Sequence, residues 1–247
     1  LTALMILQGT PSQGRYGKKE ASRKASYAVR MADSEMYRFA EPWMTEHASY
    51  PKWNYKIGVL CKSMMDMSEY TGDMKYFDYI EAYYNMMIDE SASINQYTTQ
   101  EFNIDHVNPG KVLFTLYRQT GKEKYRMAAD TLRKQMALHP RTSEGGFWHK
   151  KRYPWQMWLD GIYMGSAFLA QYAYEFQQPE WFDIVAHQIT LIAEKTTDPE
   201  TGLLYHAWDE SREQQWSNPE TGQSPHFWSR ATGWYLMAIV DVLEYLP

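Results

Sequence analysis

Two aspartates are the strongest candidates for catalysis in this sequence. Asp105 and Asp160 each lie just before or at the start of the first helix of a predicted helical hairpin, and the two positions are one hairpin apart. A pair of carboxyl groups is the usual equipment for acid–base chemistry on sugars, in which one carboxyl group must stay protonated near neutral pH. The alternative is structural, because aspartate at a helix start commonly caps the helix.

Polar and aromatic residues accompany the aspartates in three segments. These segments are residues 103–110, residues 145–161, and residues 205–209 with 226–234. Aromatic side chains have an apolar face and a polar edge, which suits a sugar-binding cleft, although the same rings also pack helical cores. The candidate sugar-binding residues in these segments are His106, His149, Trp158, His206, Arg230 and Trp234.

Among these candidates, Arg230 is the best suited to bind a substrate carboxylate, because the guanidinium fork matches that group in geometry and charge. Its structural alternative is a salt bridge at a helix start. The histidines show neither a helical His-x-x-x-His pair nor a Cys/His cluster, and Cys61 is the only cysteine, so we expect no metal and no cofactor. The basic run of residues 150–152 is predicted to be a solvated loop.

Apolar residues recur at three- and four-residue steps through most of the chain, which predicts helices in pairs. Thr-Gly dipeptides at 71–72 and 120–121 end the first helix of two pairs, and a Gln-Gln-Pro turn at 177–179 divides a third pair. Asn108 and Pro109 are predicted to open a helix as its N-cap and first residue. A further helix is predicted to start near Thr232. Strand is expected only in short pieces such as residues 203–208.

Paired helices joined by short turns indicate a helical-hairpin repeat, which either closes into a ring or extends as an open solenoid. The connections between pairs are long and rich in polar and aromatic residues, which favours a ring whose loops gather at one mouth. A ring of six hairpins needs about 300 residues at about 50 residues a pair. Because the chain has 247 residues, we expect residues 21–247 to form one catalytic domain that lacks C-terminal helices.

Charge and hydropathy limit the partners and the location of the protein. The formal net charge is −5 and the basic residues are not concentrated, so no nucleic-acid partner is expected. No apolar run approaches the roughly 18 residues that span a membrane, so no membrane partner is expected. Residues 1–20 begin with a short apolar run and are interpreted as a signal remnant or leader, the alternative being a first strand or helix turn. We therefore expect a secreted or periplasmic protein, with a cytoplasmic one as the alternative.

The motifs around the candidate residues resemble those of the unsaturated rhamnogalacturonyl hydrolases, glycoside hydrolase family 105. The resemblance runs from about Trp43 to the end of the chain, and the motifs are distinctive in combination. They are Asn103-Ile104-Asp105-His106 with Asn108-Pro109-Gly110, Met157-Trp158-Leu159-Asp160-Gly161-Ile162-Tyr163-Met164, and Arg230 with Gly233-Trp234. The family often has Arg-Gly-Asn-Gly-Trp at the last site, where this chain has Arg230-Ala231-Thr232-Gly233-Trp234.

The resemblance implies an all-α (α/α)6 barrel that needs no metal. Its substrate would be an oligosaccharide left by a pectin lyase, with a 4,5-unsaturated galacturonate at the non-reducing end. Asp160 would protonate C4 of that sugar and then act as the base for water, while Asp105 would bind the sugar and keep Asp160 protonated. His206, Trp158, Arg230 and Trp234 would line the site.

Two other functions fit the same sequence. An unsaturated glucuronyl hydrolase acting on glycosaminoglycan fragments would share the barrel and the chemistry. A non-catalytic, carbohydrate-binding helical repeat would share the helices and the aromatic residues. The paired aspartates argue against the second of these, because a binding module has no need of an acid with a perturbed pKa.

Overall fold

The computed structural model describes residues 26–247, which form a helical protein with one small pair of strands. The interpretation of residues 1–20 as a leader lies outside these described residues. The helices are α1 (Tyr27–Arg38), α2 (Tyr55–Thr71), α3 (Met74–Met87), α4 (Lys111–Thr120), α5 (Glu123–Leu138), α6 (Leu159–Gly161), α7 (Ala167–Glu175), α8 (Glu180–Thr196) and α9 (Ser229–Leu243). The strands are β1 (Gln156–Trp158) and β2 (Ala207–Asp209).

Short turns join the helices into hairpins, as the sequence predicts. Gly72 and Gly121 follow α2 and α4 with φ of 71° and 66°, a left-handed conformation that glycine adopts at little steric cost. Asn54 caps α2, since its side chain accepts a hydrogen bond from the Ile57 amide. Asp73 caps α3 in the same way, through the Lys75 amide. Local capping and turn chemistry thus determine where these helices begin and end.

The hairpins pack in two layers around a common core. Helices α2, α4, α7 and α9 lie side by side in chain order, while α3, α5 and α8 each pack against the preceding member of that inner layer. Trp234 on α9 contacts Tyr55 at the start of α2, with ring centroids 6.3 Å apart. The inner layer therefore curves back toward its own beginning, which favours a ring over an open solenoid. The all-α architecture expected from the sequence is confirmed.

The third inner helix contains a π-helical turn. Residues Ile162–Ser166 form this turn between α6 and α7, and all five of its residues are buried. Gly165 lies so close to Ile104 that an added Cβ would stand 3.0 Å from the isoleucine Cγ2. The wider turn therefore lets the helix pack directly against the segment that carries Asp105. π-Turns within α-helices frequently occur at functional sites.

Three local predictions differ from the structure. Asn108 is not a helix cap: it begins a 3-10 turn that precedes α4, and its side-chain amide donates to the Tyr55 carbonyl instead. The last helix starts at Ser229, three residues before the predicted Thr232. The predicted strand at 203–208 is displaced to Ala207–Asp209, because its partner β1 fixes the register through the Trp158–Ala207 pair.

One face of α9 is apolar and exposed. Leu236, Met237, Val240 and Leu243 are between 43% and 64% exposed, whereas Trp234 is partly buried against the core. The exposed apolar surface of this helix thus consists of these four residues and does not include Trp234. Within residues 26–247, no helix combines the length and the apolar character that crossing a membrane requires.

We predict that two glycine-to-alanine substitutions in inner helices have opposite effects on stability. A Cβ on Gly58 would stand 2.8 Å from the Pro109 backbone nitrogen, so Gly58→Ala should lower the free energy of unfolding by about 1–3 kcal/mol. A Cβ on Gly233 would meet nothing within 4 Å, so Gly233→Ala should raise that free energy by about 0.5–1 kcal/mol. Chemical denaturation of both variants measures the difference. Equal effects would show that α2 does not need glycine to approach the 108–110 turn.

Candidate active site

Asp105 lies in a short 3-10 turn between α3 and α4 and is buried. One carboxylate oxygen is 2.6 Å from the Lys150 Nζ, and the other is 3.3 Å from the His149 Nε2. Burial alone would raise the pKa of Asp105, but the hydrogen bonds and positive charge of His149 and Lys150 outweigh it and hold the pKa well below its usual value. Asp105 is therefore ionised at neutral pH.

The turn that carries Asp105 is capped by another residue. The Asn103 side chain accepts a hydrogen bond from the Asp105 amide at 3.1 Å and is the N-cap of the turn. The structural alternative for Asp105, that its carboxylate caps a helix, is therefore wrong. Its carboxylate points to His149 and Lys150 and can contact a ligand from the same place.

Asp160 lies in the first turn of α6, where no side chain caps the helix. Its carboxylate is 15% exposed, and the nearest cationic group is Arg230, whose Nη2 lies 3.7 Å from Oδ1. Burial raises the pKa of Asp160, and the negative charge of Asp105 adds to that rise, while the positive charges of His149 and Arg230 offset it only in part. Of the two aspartates, Asp160 is thus the one with the higher pKa.

Histidine His149 links the two aspartates. It directly precedes Lys150, which bridges to Asn103, and its amide donates to the Gln156 carbonyl at 2.7 Å. Gly161, the neighbour of Asp160, has no side chain to obstruct the ring, because an added Cβ would lie 3.0 Å from the His149 Nδ1. The imidazole therefore contacts the Asp105 carboxylate through Nε2 and lies close enough to Asp160 to act on its pKa electrostatically.

Trp158 is enclosed on both sides by other rings. The His149 ring stacks on it at 4.3 Å between centroids, and the Tyr153 ring stacks on it at 5.1 Å. Its indole Nε1 donates to the Gln156 side chain at 3.1 Å. Because both faces are covered, Trp158 presents an edge to a ligand rather than a stacking surface.

The strand pair brings His206 to the same mouth. Leu159, next to Asp160, donates its amide to the His206 carbonyl at 3.1 Å, one step beyond the β1–β2 ladder. The His206 Nδ1 lies 3.0 Å from both the His226 carbonyl and the Ser224 hydroxyl. Donation of the Nδ1 hydrogen to the carbonyl leaves Nε2 as an acceptor for a substrate hydroxyl.

Helix α9 contributes the remaining candidate residues. The Arg230 guanidinium lies 4.0 Å above the Trp228 ring and is half exposed, so it can turn toward a ligand while staying near Asp160. Trp234, one turn further on, packs against Tyr163 with ring centroids 4.9 Å apart. Trp234 thus packs against the π-turn that follows α6.

His106 is placed differently from the other candidates. Its Nδ1 lies 3.6 Å from the Glu101 carboxylate, and its backbone carbonyl accepts the Trp53 indole hydrogen at 2.8 Å. Burial lowers its pKa, and the charges of Glu101 and Asp105 offset that only in part. His106 is therefore neutral near pH 7 and contacts the Glu101 side of the mouth rather than Asp160.

Lys150 belongs to the candidate site, although the sequence analysis did not single it out. The prediction of a solvated loop at 150–152 is wrong for this lysine, because its side chain is only 18% exposed and its Nζ binds Asp105. The contact depends on the isolated strand bridge between Asn103 and Lys150, which joins segments far apart in the sequence. Tyr153, which covers Trp158, was missed for the same reason: both belong to a loop whose pairing has no periodic pattern.

The assembled site offers one ionised carboxylate, one carboxyl group with a raised pKa, a cation and several hydrogen-bonding rings. Such a pair can donate a proton to a substrate while keeping a negative charge beside it. Among residues 26–247, no three His, Cys, Asp or Glu side chains converge in a way that could hold a metal ion.

Comparison with known proteins places this chain in a family. The family model described as Glycosyl Hydrolase Family 88 matches residues 27–247. A solved structure from C. acetobutylicum is described as a glycoside hydrolase from family 105. Its sequence is 47% identical, its TM-score is 0.84, and the match covers 90% of this chain and 59% of that one.

Curated proteins also match. The Agrobacterium fabrum protein named Atu3128 is 42% identical over 84 residues, which are 34% of this chain and 36% of that protein. The Bacillus subtilis protein named unsaturated rhamnogalacturonyl hydrolase YesR is 23% identical over 198 residues, which are 77% of this chain and 53% of that protein. The chain thus spans between about a third and three fifths of the lengths of these relatives. These matches confirm the resemblance found in the motifs, and the chain belongs to the glycoside hydrolases of the Family 88 model, with a family 105 member among its structural relatives.

Proposed function

We propose that this protein is a glycoside hydrolase that acts on oligosaccharides ending in a 4,5-unsaturated uronic acid, and that its substrate is the rhamnogalacturonan fragment with unsaturated galacturonate at the non-reducing end. The observation that carries the proposal is the unequal pair of carboxyl groups: Asp160 has a raised pKa, and Asp105 is held ionised beside it. The family membership supports the hydrolase class, and the name of the B. subtilis relative supports the choice of glycan.

The reaction begins as a protonation of the double bond. Asp160 gives its proton to C4, and the positive charge that forms at C5 is shared by the ring oxygen. The ionised Asp105 stabilises that charge electrostatically and raises the pKa of Asp160 beforehand. Water then adds to C5 and returns a proton to the Asp160 carboxylate, so the acid is regenerated. The hemiketal at C5 opens, and the hemiacetal left at C1 releases the remaining sugar.

The other residues bind the unsaturated sugar in this proposal. Arg230 is half exposed beside Asp160 and suits the planar C5 carboxylate, because a guanidinium can bind it through two parallel hydrogen bonds. His206 accepts from a ring hydroxyl through Nε2, and the Trp158 edge limits the space above the double bond. Trp234 supports the sugar from below. A glucuronyl hydrolase would use the same groups, so the choice of glycan must be tested directly.

The glycan is tested with two lyase digests. We expect lyase-treated rhamnogalacturonan to lose its ultraviolet absorbance in the presence of the protein, because hydration removes the conjugated double bond. Lyase-treated chondroitin should lose absorbance at least about tenfold more slowly, since one mismatched group in a sugar site typically costs one or two kcal/mol. A faster loss with chondroitin would overturn the choice of glycan while leaving the reaction type in place.

We predict that Asp160→Asn removes turnover without unfolding the protein. Asparagine keeps the size of the side chain but cannot deliver a proton, and general acid–base groups typically contribute about 10² to 10⁴ in rate. The Asp160 carboxylate caps no helix, so the melting temperature should change little. The measurement is the rate of absorbance loss together with thermal unfolding. Substantial turnover by a folded Asp160→Asn protein would show that another group is the acid.

We predict opposite pH shifts from two neighbours of Asp160. A general acid is active while protonated, so its pKa sets the alkaline limb of the kcat/KM profile. Asp105→Asn removes a negative charge that raises the pKa of Asp160, so the alkaline limb should move to lower pH. Arg230→Gln removes a positive charge that lowers the same pKa, so the limb should move to higher pH. Shifts in one direction for both variants would contradict the assignment of Asp160 as the acid.

A further inference from the structure

A polar cleft lies next to the residues that hold Asp105. It has a volume of about 420 Å³ and is lined by Glu101, Asn103, Lys150, Lys151 and Arg152. Two of these residues also belong to the candidate active site, because Asn103 caps the turn that holds Asp105 and Lys150 binds the Asp105 carboxylate. The cleft therefore shares a wall with the candidate active site, formed by Asn103 and Lys150.

The geometry of the turn exposes two cations in this cleft. Tyr153 donates its amide to the Lys150 carbonyl at 2.8 Å, which makes Lys151 and Arg152 the central residues of a β-turn. The Lys151 amide donates to the Phe102 carbonyl at 3.1 Å, so the turn is fastened to the opposite wall. Two residues of chain extend at most about 7 Å, so both cations stay close to Lys150.

The charges of the cleft are unbalanced. Lys150 is neutralised by Asp105, whereas within residues 26–247 no carboxylate lies within ion-pair distance of Lys151 or Arg152. Lys151 lies 5.8 Å from the Phe102 ring centroid and Arg152 lies 5.0 Å from that of Tyr153, so both side chains rest on aromatic surfaces. Glu101 is the one acid in the lining, and it faces His106 at 3.6 Å. The turn thus presents two cations to a ligand.

We propose that Lys151 and Arg152 bind a second carboxylate of the substrate, on the galacturonate two sugars beyond the one that is hydrated. This inference rests on the proposed function. Rhamnogalacturonan alternates galacturonate with neutral rhamnose, so a fragment that places its unsaturated end at Asp160 carries its next carboxylate on the third sugar. The Arg152 guanidinium and the Lys151 ammonium lie on one turn and suit this carboxylate. The neutral second sugar would then lie near Lys150.

The binding test uses the inert Asp160→Asn protein and three ligands. They are the unsaturated disaccharide, the unsaturated tetrasaccharide with its internal galacturonate, and a synthetic tetrasaccharide in which galactose replaces that internal residue. Calorimetry compares this protein with a second one that also carries Lys151→Gln and Arg152→Gln. A control carries Lys134→Gln, which removes one charge from the exposed surface of α5 and leaves the cleft lining unchanged.

We predict that the double substitution raises the Kd of the acidic tetrasaccharide about fivefold, the size expected of solvent-exposed ion pairs. The Kd values of the disaccharide and the galactose tetrasaccharide should not change, because neither places a carboxylate in the cleft. The control should match the parent for every ligand. The preference of the parent for the acidic tetrasaccharide should shrink as salt is added.

Two results would overturn the cleft as a carboxylate site. One is an unchanged Kd for the acidic tetrasaccharide after the double substitution; the other is equal affinity of the parent for the acidic and galactose tetrasaccharides. Either would show that residues 151–152 are only a solvated turn. Turnover of the disaccharide by the unsubstituted protein tests the proposed function separately, since that ligand does not reach the cleft. Charge-dependent binding of the acidic tetrasaccharide without turnover of the disaccharide would contradict the proposed reaction but support the cleft as a carboxylate site.

Discussion

The structure of the site depends on the ion pair between the Asp105 carboxylate and Lys150. A buried carboxylate without a partner would take up a proton, because removing the charge costs less than leaving it unsolvated. Lys150 at 2.6 Å and His149 at 3.3 Å keep Asp105 ionised instead. That fixed negative charge is then available to raise the pKa of Asp160. Together with the burial of Asp160, it gives two chemically identical side chains pKa values shifted in opposite directions, which suits acid-catalysed hydration.

The fold supplies this ion pair through loops rather than helices. Asp105 comes from the connection before α4 and Lys150 from the connection before α6, and the bridge between Asn103 and Lys150 holds the two together. The inner helices contribute close packing: Gly165 in the π-turn contacts Ile104, beside Asp105, and Gly161 leaves room for the His149 ring. Rigid helices thus hold the loops at a separation at which one carboxylate can affect the other.

Much of this arrangement could be predicted from the sequence, and the remainder could not for a physical reason. Helices and their turns follow from local periodicity and from residues such as Gly72, so the hairpins were predictable. The gathering of Asp105 and Asp160 at one mouth followed from their equivalent places in the repeat. The role of Lys150 and the covering of Trp158 depend on pairings between irregular loops, which leave no periodic signal. The prediction that Asn108 caps a helix was wrong because its side chain donates a hydrogen bond to the Tyr55 carbonyl, a tertiary contact that the local sequence does not indicate.

Opposing influences act on the pKa of Asp160. The start of a helix carries partial positive charge, which lowers the pKa of a nearby carboxyl group and works against a proton donor. Arg230 acts in the same direction from α9. Burial acts against both and is the largest influence on Asp160, and the charge of Asp105 assists it. The same positive groups become useful after the proton has left, because they stabilise the Asp160 carboxylate until water returns one. A residue that serves first as acid and then as base needs a pKa held between these influences rather than driven to either extreme.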